Sequence, residues 1–66
     1  MNANQIIKNK TGFSLNDLKD VVVDTYGYGG IARLYMIALE SLEASDKANK
    51  PYEAKYMEMA LGLANH

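Results

Sequence analysis

The chain has no cysteine and no tryptophan, one proline, one phenylalanine and one histidine. Without cysteine there is no disulfide, no thiolate metal site and no cysteine nucleophile. The one histidine, His66, is the last residue. A zinc site or a histidine-based triad therefore has nothing to build on, and the side chain reads as an exposed terminal group. Excess positive charge is missing too: seven Lys and Arg face eight Asp and Glu, a net charge of −1. Nucleic acid is not an expected partner, because a general nucleic-acid binder needs a basic footprint. No apolar run approaches the roughly 18 residues of a membrane span. Met1-Asn2-Ala3-Asn4-Gln5 carries neither the basic segment nor the apolar stretch of a secretion signal. The expected setting is the cytoplasm, with no membrane.

Hydrophobic residues make up 48% of the 66-residue chain and charged residues 23%, which is the balance of a folded chain. The length allows one small domain over residues 1–66. Such a core is marginal without disulfide or metal, and association is the usual remaining source of stability.

The apolar positions follow a helical period, and no alternating strand of useful length is present. A short helix is expected over about Asn2 to Lys10, carrying Ile6 and Ile7 and ending at Thr11-Gly12. A second runs from about Leu15 to Tyr26. Ser14 is its N-cap, Asp17 takes the third helical position of a capping box, and Phe13 has staple spacing to Leu18. Asp is shorter than the usual Glu there, which weakens the expected reciprocal bond. Leu15, Leu18, Val22 and Tyr26 share one face. Gly27 is placed to end the helix in the left-handed region.

The third helix is expected over about Ile31 to Ser45, with Ile31, Leu34, Tyr35, Ala38 and Leu42 toward the core and Ala32, Ile37 and Leu39 widening that face. Arg33, Met36, Glu40 and Glu43 then look outward. As the most hydrophobic helix it belongs at the centre. Asp46 to Lys50 reads as a polar connection, and Pro51 as the first turn of a fourth helix reaching Ala64. The fold class expected is all-α: a compact bundle of three main helices with a short N-terminal one. The segment Tyr52 to Ala64 resembles the second helix of a tetratricopeptide unit. That pattern repeats about every 34 residues and the chain holds no second copy, so no family follows.

Four constellations bear on function. Counting Asp24 as the first residue of a calcium loop puts Gly29 at position six and Ile31 at position eight, as an EF-hand would. Tyr26, Tyr28 and Tyr35 then occupy ligand positions, where a hard cation needs carboxylates. No metal and no cofactor is expected. The same Gly-rich turn, with Tyr26, Tyr28, Gly29, Gly30 and Arg33, could hold a phosphate or nucleotide through helix N–H groups, a guanidinium and aromatic stacking. The nucleotide-binding spacings G-x-G-x-x-G and G-x-x-x-x-G-K are absent.

Asp17, Asp20 and Asp24 form an acidic stripe along the second helix. Residues Thr11 to Asp46 hold six acids and two bases, so the stripe can meet a basic protein surface. In the fourth helix, Tyr52, Tyr56, Met59 and Leu63 form the expected core stripe, extended by Ala60. Met57, Leu61 and Ala64 lie on a neighbouring sector. Apolar coverage wider than about 100° of arc implies burial on two sides or contact with another chain. Met57, Leu61 and Ala64, with the outward Met36, are read as a partner surface and as the contact of a two-fold dimer.

A helix-turn-helix reading fails, because the helix after the turn carries only Arg33 as a base. No nucleophile stands beside a base, so no catalytic residue is proposed and the chain is not expected to be an enzyme. The function read from the sequence is protein binding by a small non-catalytic regulator, adaptor or inhibitor, which is expected to meet another protein and to self-associate through its C-terminal helix. The alternative is a small-ligand or nucleotide-binding module at the Tyr26–Arg33 turn.

Overall fold

The structure, a computed structural model, describes residues 1–65. His66, read above as an exposed terminal group, lies outside the described residues. Four helices follow one another: α1 (Ala3–Thr11), α2 (Leu15–Tyr26), α3 (Gly30–Ala48) and α4 (Ala54–Ala64). No strand occurs among the described residues. Each helix touches the other three, and α3 makes its broadest contacts with α2 and α4. The fold is a small all-α bundle. Among the described residues no helix is long and apolar enough to cross a membrane.

Local chemistry explains the helix ends. Ser14 accepts from the Asp17 N–H (3.1 Å) through its hydroxyl, and the Ser14 N–H donates to the Asp17 carboxylate (3.0 Å). The short Asp side chain therefore closes the capping box. These bonds, backbone first, hold the Asp17 carboxyl below its ordinary range, with a smaller contribution from Lys8. Asn2 and Gln5 form a second capping box at the start of α1, a pairing not anticipated above. Phe13 stays exposed and outside the packed core, so the staple adds little. α1 ends at Gly12, in the left-handed region with φ 82°.

Gly27 ends α2 differently from the expectation. Its φ is positive at 70°, but its ψ of −135° lies outside the left-handed helical region, in backbone space open almost only to glycine. No neighbouring atom would meet a Cβ there, so the penalty for a substitution is purely conformational. Gly27→Val should lower stability by roughly 1–3 kcal/mol, read as a lowered melting temperature. An unchanged melt would place the chain reversal at another residue.

Two boundaries move. α3 continues through Asp46, Lys47 and Ala48 to a left-handed Asn49, instead of stopping at Ser45. Asp46 is not a linker residue. Its carboxylate accepts from the N–H groups of Ala3 (2.8 Å) and Asn4 (2.9 Å) and so caps α1 from 42 and more residues away. Asn4 in turn accepts from the Leu15 N–H (2.8 Å) at the start of α2. α4 begins at Ala54, not at Pro51. Proline restricts the residue before it to extended backbone, and Pro51 to Glu53 stay non-helical.

The core holds Ala3, Ile7, Leu15, Leu18, Val22, Ala32, Leu39, Leu42, Met57, Ala60 and Leu63. On α3, Ala32, Ala38, Leu39 and Leu42 are buried, while Ile31, Leu34 and Ile37 are not. The expected core arc is thus rotated by roughly 60°, at 100° per residue. Ala32 and Ala38 are both buried on this side of the helix, and small side chains of this kind let neighbouring backbones approach, while the larger Ile31, Leu34 and Ile37 fall outside the buried arc.

Candidate functional site

The rotation of α3 creates an unusual surface. Ile31, Leu34 and Ile37 are 57%, 60% and 51% exposed, and Tyr28 in the preceding turn is 86% exposed. Spaced three residues apart, the three aliphatic groups adjoin one another on one side of the helix. Ser41 and Ala44 continue the stripe by spacing, four and seven residues beyond Ile37, and carry no charge. Single exposed apolar residues are ordinary, whereas a contiguous apolar stripe marks an interaction surface.

Beside this stripe a groove of about 270 Å³ opens between the end of α2 and the first half of α3. Its floor is apolar, made by Val23, Ala32 and Met36. Exposed groups form its rim: Tyr28, Arg33, Ile37 and Glu40. Gly27, which ends α2, and Tyr28, which follows it, close the groove at the turn between the two helices.

The residues singled out from the sequence are distributed as follows. Asp17, Asp20 and Asp24 are all exposed on α2. The ion pairs of the described residues are Lys19–Glu43 (3.3 Å) and Lys55–Glu53 (3.5 Å), so none of the three aspartates is in an ion pair. Met36 is half-buried rather than outward. It packs on the core and floors the groove.

Met57 is a core residue at 7% exposure, and Leu61 and Ala64 are half-buried and packed against the core. The sequence reading set these three apart from the core-facing stripe, and that is corrected here. α4 contacts α1, α2 and α3 together, so its buried arc takes in Met57 beside Ala60 and Leu63. Tyr52, expected in the core, is exposed because it precedes the helix.

Of the residues proposed for a small ligand, Tyr28, Gly29, Gly30 and Arg33 are exposed. Tyr26 is not free to hold a base. It stacks on Tyr35 with ring centroids 5.4 Å apart and planes at 14°. Partial burial, together with a hydrogen bond shared with Tyr35, pushes its phenol above the ordinary range. Among the described residues no group of three His, Asp or Glu side chains could hold a metal ion. Ile31, Leu34 and Ile37 were missed as surface groups. Their hydrophobicity argued for burial, and the only contrary signal was the pair of alanines flanking a better seam.

Comparison with known proteins adds no relative: no family model matches the chain, and neither a curated protein nor a solved structure resembles it.

Proposed function

We propose that this is a non-catalytic, protein-binding regulator, adaptor or inhibitor whose interface is the outward side of α3 with the adjoining groove. The observation that supports this reading is the exposed stripe of Ile31, Leu34 and Ile37 beside Tyr28. A 66-residue chain has little core to spare, and leaving three large aliphatic groups more than half exposed forgoes roughly 1–2 kcal/mol for each, about half the value of full burial. A partner that covers them recovers that free energy on binding. Aromatic and methionine side chains at the site, Tyr28 and Met36, are typical of the centre of such interfaces. The setting proposed is the cytoplasm, on the sequence grounds given above.

The dimer contact expected on α4 is not carried forward, because Met57 belongs to the core. The ligand-binding alternative loses one of its two aromatic groups to the Tyr26–Tyr35 stack.

Affinity capture from lysate of the native host tests the reading, with wild type run beside a Leu34→Glu, Ile37→Glu double variant. Both positions are more than half exposed, so the variant should keep its circular dichroism spectrum and melt. At least one protein retained by the wild type should be lost, or weakened by a hundredfold or more, with the variant, because two carboxylates would enter an apolar contact. Identical captured sets on both would overturn the proposal.

A further inference from the structure

Charge around the groove is lopsided. Glu40 stands on its rim. Asp20 lies three residues before Val23 and Asp24 three before Gly27, so both occupy the helical turn next to the groove wall. Neither aspartate nor Glu40 has an ion-pair partner among the described residues, while the nearby Lys19 is held by Glu43 at 3.3 Å. Arg33 is the one base on the rim. An apolar floor under mainly acidic edges selects an occupant that is apolar on one face and basic beside it. We infer that the groove receives a basic amphipathic helix of a partner protein, its apolar residues on Val23, Met36 and Ile37 and its lysines or arginines toward Asp20, Asp24 and Glu40. The inference rests on the protein-binding reading above and names the partner's chemistry.

The geometry fits that occupant. From Ala32 to Glu40 the α3 wall is about 12 Å long at 1.5 Å per residue, enough for partner side chains at i, i+4 and i+7, which span roughly 10.5 Å. An extended peptide has no strand edge to join, since the described residues contain none. Nucleic acid and anionic lipid would meet acids at the edges. A second copy supplies no suitable helix. Its basic pair Lys8 and Lys10 sits on α1, whose Ile7 is buried and whose Ile6 packs on the core.

The test uses the intact protein and a fluorescent synthetic helix with leucines at i, i+4 and i+7 and flanking lysines. Two further peptides serve as comparisons: the same sequence with glutamates for the lysines, and a scrambled lysine peptide of equal composition. Anisotropy gives rates and affinities, amide NMR shifts locate the contact, and sedimentation reports self-association. The lysine helix should bind alone of the three and shift the amides of Val23, Met36 and Ile37. Asp20→Asn with Glu40→Gln should slow association roughly tenfold at low salt and flatten its salt dependence, because steering is electrostatic. Ile37→Glu should abolish the groove shifts without changing the fold.

Equal binding of the glutamate or scrambled peptide, shifts confined to α1 or α4, or a self-dimer that protects the same groove amides would each overturn the inference. A captured protein that depends on Leu34 and Ile37 while the lysine helix fails to bind would sink only the partner's proposed chemistry. A lysine helix that binds the groove while no such protein is captured would sink the reading on which it rests.

Discussion

Leu39→Ala is expected to leave most of the protein unfolded at physiological temperature, while Leu34→Ala on the same helix changes stability by no more than about 0.5 kcal/mol. Leu39 is fully buried in the core cluster, whereas Leu34 is exposed. Removing a buried leucine loses its transfer free energy and leaves a cavity, together about 2–5 kcal/mol. A single core of this size rarely supplies more than about 3–5 kcal/mol in all, so the two quantities are comparable. The core also offers little chance to relax into the gap. The cluster that holds Leu39 includes the alanines Ala3, Ala32 and Ala60, whose short side chains cannot extend to fill a space. Urea denaturation followed by circular dichroism measures both variants. Equal losses at the two positions would mean that the α3 seam is not where the alanines place it.

The same contrast explains which parts of the molecule were legible in the sequence. α2 was read with its observed ends, because its signals are local: Ser14 and Asp17 close their own box, and Gly27 stops the helix. Helix existence and order followed from periodicity alone. What periodicity could not settle was the direction in which α3 and α4 face. Each has apolar residues over a wide arc, and the bulkiest groups point to a meridian about 60° away from the real one. Small residues bear on that choice: Ala32, Ala38 and Ala60 are all buried, alanines permit close approach of two backbones, and a hydrophobicity count undervalues them. Met57 was therefore placed outward and Ile37 inward, the reverse of the structure.

The candidate site was half legible for the same reason. Tyr28 and Arg33 were noticed as a ligand turn, Met36 as an interface residue and the aspartates as a charged stripe. Only the packing of α2 on α3 brings Tyr28, Arg33 and Met36 into one groove.

Asp46 shows what local reading misses altogether, and it supports the second large effect. Asp46→Ala should release α1 from the bundle and lower stability by about 2–4 kcal/mol. The first N–H groups of a helix have no partner within it, and a carboxylate satisfies two of them here, from Ala3 and Asn4. Bonds to a charged acceptor contribute about 1.5–3 kcal/mol each. The negative charge also lies at the positive end of the α1 dipole. The loss should spread, because Asn4 holds the Leu15 N–H. When α1 loosens, the start of α2 loses an acceptor as well.

Hydrogen exchange reads this directly. Faster exchange at Ala3, Asn4 and Leu15 is expected, with tryptic cleavage at Lys8 and Lys10 appearing before cleavage at Lys19. Asp46→Asn, which keeps one carbonyl acceptor without the charge, should fall between wild type and the alanine variant. If Asp46→Ala leaves exchange at Ala3 and Asn4 unchanged, the carboxylate does not fasten α1, and its docking depends on Ile7 and Ala3 in the core alone.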